Sequence, residues 1–138
     1  MKIHVIKMEQ EAIEGYKKVL VSDNYINFMD ISDNECTEIL ANDVLDSFYL
    51  SNIRDCIVSL VSKLRLGGKL IIGGKDLRLF CKSVINGAIE EADGAQLIQS
   101  INSMSSLNEI KPFIESLGLK VLNTQLAGIH FEIVAQRA

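Results

Sequence analysis

Residues Thr37 to Asp76, TEILANDVLDSFYLSNIRDCIVSLVSKLRLGGKLIIGGKD, read as strand, acidic turn, amphipathic helix, Gly-Gly turn and strand. Thr37 to Ala41 is nearly all apolar, as strands buried on both faces are. Ile53, Cys56, Ile57, Leu60, Val61 and Leu64 then recur at helical spacing, while Arg54, Asp55, Ser59, Ser62, Lys63 and Arg65 take the other side. That pattern predicts a helix laid on a sheet. Gly67-Gly68 is expected to end the helix, because a left-handed cap needs no side chain. Lys69 to Ile72 follows as a strand closed by Gly73-Gly74. Strands separated by a full helix indicate a parallel crossover, so this stretch points to an α/β fold.

Working outward, Lys2 to Ile6 alternates and is rich in β-branched residues, which predicts a first strand. Glu9 to Glu14 reads as a short helix or an irregular turn. Tyr16 to Ser22 reads as a second strand ending at Asp23-Asn24, a turn signal. Tyr25 to Met29 is a short third strand ending at Asp30, and Ser32 to Glu35 is a polar loop. On the other side, Asp76 is placed to cap a helix running to about Val84. Ala88 to Met104 is read as mostly helical and surface-lying. Ser106 followed by Glu109 has the form of a capping box opening a helix to Leu117, with Pro112 early in it. Leu119 to Leu126 and Ile129 to Gln136 flank Ala127-Gly128, which predicts an antiparallel hairpin.

A length of 138 residues with no linker or repeat is expected to form one domain, 1–138. At 48% apolar and 23% charged residues the chain has the composition of a folded globular protein and not of a disordered one. A net charge of −4 without a Lys/Arg run leaves no basic footprint for nucleic acid. No apolar stretch has the length of a membrane span, and MKIHVIKMEQE lacks a signal-peptide core, so a cytoplasmic, non-membrane protein is expected. Cys36, Cys56 and Cys81 form no CxxC pair, and no metal site is expected. Cys56 and Cys81 read as small hydrophobes buried on helix faces. His4 and His130, without a visible partner, read as structural or surface residues, and Glu90, Glu91 and Asp93 as a solvated helix face.

Several phrases together resemble the class I S-adenosylmethionine (SAM) dependent methyltransferases, and more narrowly their small predicted members. Gly15-Tyr16 followed by KKVLVSD resembles the family's GY/GW-x-NVD segment. ANDVLDSF, Ala41 to Phe48, resembles the strand-four exit, where a "VLEH" phrase opens the next helix. LRLGGKLII, Leu64 to Ile72, resembles "LKPGGxLxI", and ESLGLKV, Glu115 to Val121, resembles "EEAGFEV". The resemblance implies a Rossmann-like class I methyltransferase fold, with a mostly parallel sheet of about seven strands and a C-terminal antiparallel hairpin. It implies SAM as cofactor, with Asp23 accepting hydrogen bonds from the ribose hydroxyls and Asp30 at the adenine amino group. Asn42 would join the cofactor site, and Asp43 would orient or deprotonate a methyl acceptor. The same aspartates are also common turn and cap residues.

The chain departs from the family where the cofactor loop should be. Glycines there let the backbone approach the cofactor closely, yet Ile6-Lys7-Met8-Glu9 places large side chains, and no glycine stands between Met1 and Glu14. The helix between the first two strands is short or missing. Asn42-Asp43 is not the (D/N)PP(Y/F) phrase used on exocyclic amines of bases, and Gly73-Gly74 lacks the GxxxxGK[ST] of a phosphate loop. Two readings follow. The preferred one is a degenerate methyltransferase-fold pseudoenzyme of the kind found in phage and other compact genomes. It would act as an interaction or assembly module with a protein partner or as a homo-oligomer, using sheet edges or the region Ile85 to Met104. The alternative is a SAM-binding or active small methyltransferase with a rebuilt loop; an enzyme that binds another nucleotide or cleaves SAM is a third possibility on the same fold.

Overall fold

A computed structural model describes all residues from Met1 to Ala138. Its elements are β1 (Lys2–Ile6), β2 (Lys17–Ser22), β3 (Tyr25–Ile26), β4 (Cys36–Ala41), α1 (Ile53–Lys63), β5 (Leu64–Lys75), α2 (Leu77–Ile85), α3 (Glu91–Ser100), α4 (Leu107–Ser116), β6 (Leu119–Ala127) and β7 (His130–Arg137). They form one seven-stranded sheet in the order β3-β2-β1-β4-β5-β7-β6. β2, β1, β4 and β5 run parallel, and β7 lies antiparallel between β5 and β6. The expected parallel sheet with a C-terminal hairpin is therefore present.

The largest difference from expectation is at the other edge. β3 has only two residues and folds back antiparallel on β2, pairing Val21 with Ile26 and Ser22 with Tyr25. Asp23-Asn24 is a two-residue hairpin turn with Asn24 at φ 58°, and a parallel partner would need a connection of about a dozen residues. Asp30 consequently sits in a turn beyond the strand and not at its exit.

Gly67-Gly68 does not cap α1. The helix ends at Lys63, and Leu64 is already extended in β5. The glycines instead serve an irregularity in the β4–β5 ladder, where Cys36 pairs with Leu64 and Glu38 with Lys69. A Cβ on Gly68 would lie 2.9 Å from the carbonyl oxygens of Cys36 and Arg65. β5 likewise runs on through Gly73-Gly74. Ser106 is the N-cap of α4, but its side chain makes no capping bond. Asp76 takes that role for two helices: Oδ1 accepts the Leu79 N–H at 3.0 Å and Oδ2 the Leu107 N–H at 2.9 Å. Helix in the Ala88–Met104 region is confined to α3. Cys56 is buried as expected, whereas Cys81 is exposed, Phe80 being the residue that α2 buries.

One face of the sheet carries the core. Ile3, Val5, Val19, Val21, Ile39, Ala41, Leu70, Ile72, Ile133 and Ala135 meet Ile53, Cys56, Ile57 and Leu60 of α1 and Ile110 and Ile114 of α4. Alternation turns His4, Leu20, Leu40, Ile71 and Val134 to the opposite face, outside that cluster. The β1–β2 connection has no helix. It is tied to this face where the Ile13 N–H donates to His4 Nδ1 at 3.2 Å and where the Tyr16 ring meets His4 edge-on.

Candidate functional site

The carboxyl ends of β1, β2, β4 and β5 meet where the strand order reverses between β1 and β4, the usual place for a ligand crevice in an open α/β sheet. Two adjoining depressions lie there, of about 170 and about 310 Å³. The first is lined by His4, Lys7, Asn42, Asp43, Asp46 and Lys75 among others. The second is lined by Lys7, Met8, Asp23, Ser47, Ser100 and Asn102 among others. Lys7, Val21 and Asp46 belong to both.

The floor is an ion pair. Asp46, 4% exposed, accepts the Lys75 backbone N–H at 3.0 Å through Oδ1 and the Lys75 ammonium at 2.9 Å through Oδ2. A buried carboxylate requires such partners. The local fold supplies them: a single helical turn at Leu45–Ser47 turns Asp46 inward, and its carbonyl accepts the Asn102 N–H at 2.9 Å. Gly74 leaves the necessary room, since a Cβ there would stand 2.8 Å from Asp46 Oδ1. Gly73 does the same for the backbone, where a Cβ would run into the Phe131 carbonyl and come within 2.7 Å of the Asn42 carbonyl. Close packing of the β4 exit on β5 accounts for Gly74, and close packing of β5 between the β4 exit and β7 for Gly73.

Asp23, at the β2 exit, is held by the chain itself. Oδ2 accepts from the Tyr49 hydroxyl at 3.2 Å, and Oδ1 is in close contact with the Asn102 amide, whose Nδ2 also donates to the Ser47 carbonyl at 2.8 Å. The neighbouring Asn24 Oδ1 accepts the Tyr49 N–H at 3.0 Å. The Asp23 hydrogen bond and charge push the Tyr49 phenol above its ordinary pKa. The β2 turn, the β4 exit loop and the segment after α3 are thereby tied together.

Asn42 and Asp43 line the first depression and also meet the start of β7, which does not line it. Asn42 Nδ2 donates to Glu132 Oε2 at 2.9 Å, and Asp43 Oδ1 lies 3.6 Å from His130 Nδ1, with both side chains about half exposed. His130 thus has a partner that the sequence does not reveal. Asp30 is exposed and lines neither depression. The structure brings Asn42 and Asp43 together, sets Asp23 in the adjoining depression and leaves Asp30 apart. Sequence reasoning missed Asp46, Lys75 and Asn102 as site residues. The phrase DVLDSF contains Asp46, but nothing local to it signals a lysine 29 positions on. Of the remaining titratable groups, His4 is held below its usual pKa by burial, and burial pushes the Cys56 thiol up to about 12. No group of His, Cys, Asp and Glu side chains has the arrangement of a metal site, and no helix is long and apolar enough to cross a membrane.

No protein-family model and no curated protein sequence matches this chain. Among solved structures it is similar to an O-methyltransferase family protein from Burkholderia thailandensis, with a TM-score of 0.62 and 18% identity over 88% of this chain and 36% of that one. A SAM dependent methyltransferase from Archaeoglobus fulgidus gives a TM-score of 0.62 at 11% identity, over 99% of this chain and 86% of that one. A chain from the complex between the Haloferax volcanii Trm112 methyltransferase activator and the putative methyltransferase gives 0.59 at 9% identity, over 91% and 63%. The chain thus spans little more than a third of the first of these proteins. Likeness at these identities concerns the fold alone.

Proposed function

We propose, on the premise that this chain has a class I methyltransferase-like fold, that it acts as a non-catalytic interaction module. The observation that carries this reading is the state of Asp23. In the family the acid at this strand exit receives the ribose hydroxyls. Here both its oxygens accept from the chain's own Tyr49 hydroxyl and Asn102 amide. Two further features agree. The β1 exit presents Lys7 and Met8 to the cleft where a glycine backbone should approach the cofactor. Asp30, which the resemblance would put at the adenine amino group, is exposed and lines neither depression. The residues present therefore do not fit SAM in the family's pose, and no methyl-transfer step is assigned to them. The Haloferax neighbour comes from a complex with an activator protein, which supports a role in protein association by analogy of fold.

One observation favours a second reading, a SAM-binding protein with a rebuilt loop. Lys7 lines both depressions and has no ion-pair partner, so its ammonium is free to meet the carboxylate of a ligand. Calorimetric titration of the folded chain with SAM and with its demethylated product separates the two. The module reading expects no heat up to millimolar ligand. Micromolar binding, weakened by Asp23→Ala, would overturn it in favour of the second reading.

A further inference from the structure

We propose that Asn86 is a self-modification site, at which the folded chain converts its own asparagine to aspartate and isoaspartate. Asn86-Gly87 is the one Asn-Gly step in the sequence. It lies at the end of α2, with Asn86 as the C-cap and Gly87 just beyond it at φ 82°. Asn86, Gly87 and Ala88 are all exposed, and a Cβ on Gly87 would meet nothing within 4 Å. The reaction requires the Gly87 backbone nitrogen to reach the Asn86 side-chain carbon Cγ, and a following residue without a side chain gives the freest approach. The Gly87 N–H is held by a bond of 3.3 Å to the Val84 carbonyl, and Asn86 Nδ2 donates to no group of the chain. The Ala88 N–H donates to Asn86 Oδ1 at 2.9 Å, the oxygen on which negative charge develops during the attack. A second asparagine, Asn102, precedes a small residue and is also exposed, but it is pinned. Its Nδ2 is engaged by Asp23 and by the Ser47 carbonyl, and its backbone N–H by the Asp46 carbonyl at 2.9 Å. A free side-chain amide and a following glycine therefore single out Asn86.

The chemistry needs no reactant but water. The Gly87 nitrogen loses its proton to solvent and bonds to Cγ. The Cγ–Nδ2 bond then breaks, and Nδ2 takes up a proton and leaves as ammonia. Water opens the resulting succinimide ring at one of its two carbonyls. Opening at Cγ gives aspartate. Opening at the Asn86 backbone carbonyl gives isoaspartate, with the chain routed through the former side chain. Either product places a carboxylate at the C-terminal end of α2, where the helix dipole disfavours it. Isoaspartate also inserts a methylene into the chain between the Ser83 carbonyl and the Ile89 N–H, which now lie 3.0 Å apart. The connection from α2 to α3 is thereby loosened as the molecule ages. This inference goes beyond the module reading, and it does not depend on whether the cleft binds SAM.

The test is to age the purified full chain in warm, mildly alkaline buffer, folded and in urea, and to follow each asparagine by peptide mass spectrometry. In the folded chain residue 86 should gain about 1 Da while Asn102 stays unchanged. Unfolding should change the Asn86 rate by less than about ten-fold and raise the Asn102 rate by more than that, because only Asn102 is protected by the fold. Asn86→Gln should abolish the mass change, and Gly87→Ala should slow it roughly ten-fold or more. Circular dichroism checks that both variants are folded, and the comparison with urea needs no variant. Hydrogen exchange at the Ile89 amide should be faster in the aged chain. The proposal is overturned by an Asn86 that converts in urea but stays intact in the folded chain. It is equally overturned if Asn102 converts as fast as Asn86 when folded, or if Gly87→Ala leaves the rate unchanged. An Ile89 amide equally protected before and after ageing would overturn the loosening of the α2–α3 connection.

Discussion

Asp46 grips both ends of Lys75, its Oδ2 2.9 Å from the ammonium and its Oδ1 3.0 Å from the backbone N–H. The acid is almost wholly buried and the lysine side chain is 19% exposed. Removing one member of such a pair strands the other charge, which costs about 3–5 kcal/mol. Asp46→Ala and Lys75→Met are expected to lose that much in chemical denaturation, and the double variant less than the sum. Gly74→Ala, which crowds Asp46 Oδ1, should lose about 1–3 kcal/mol by overpacking. Gly73→Ala should lose more, because its Cβ would meet two carbonyl oxygens and not a movable side chain. Equal costs for the two glycine variants would count against this account of the β4–β5 packing.

Asp76 supplies a cap to α2 and to α4 together. A lost helix cap costs about 0.5–2 kcal/mol, so Asp76→Ala, which removes two, should lower stability by about 2–3 kcal/mol. Ser106→Ala removes a side chain that makes no capping bond and should change stability by about 0.5 kcal/mol or less. Thermal melts of the two variants decide the matter, and a larger loss from Ser106→Ala would restore the capping box read from the sequence.

His4 should make the fold acid-sensitive. Burial lowers its pKa below the ordinary 6.5, and its Nδ1 accepts the Ile13 N–H, which requires that nitrogen unprotonated. With the folded value below the unfolded one, the contribution to stability is complete above pH 6.5. It is lost as the pH falls from there through the folded value, because the unfolded chain takes up the proton first. Urea midpoints measured from pH 7.5 to 5 should fall, and the fall should be shallower in His4→Gln. An unchanged slope in that variant would assign the effect elsewhere.

Much of the architecture was legible because it is written locally. The apolar spacing from Ile53 to Leu64 located the start of α1 and its buried face, since a buried helix stripe repeats every three to four positions, but not its end, which falls at Lys63 and short of Gly67-Gly68. The two strands around Ala127-Gly128 were legible as a hairpin because so short a connection leaves no other pairing. β3 is shorter than the Tyr25 to Met29 read for it, and its antiparallel direction was not legible from β-branched and aromatic residues; Asn24 at positive φ turns it back on β2. The glycine pairs misled as well. Gly68, Gly73 and Gly74 each have a carbonyl or carboxylate oxygen where a Cβ would stand, so their role is a matter of space, and only Gly67, at φ 79° with nothing near it, is required by backbone conformation.

The sequence by itself determined the class of fold and the absence of a glycine-rich turn after the first strand. Both follow from residue types and periodicities within a single element. Only the tertiary structure decided how the cleft is furnished. Asp46 meets Lys75 across 29 positions, Asp76 meets Leu107 across 31, and Asp23 meets Asn102 across 79. Such pairs leave no periodic trace in the chain. They come within hydrogen-bonding distance because parallel strands deliver their carboxyl ends to one edge of the sheet, where the loops that leave those ends meet, and the buried acids Asp46 and Asp76 must find partners there.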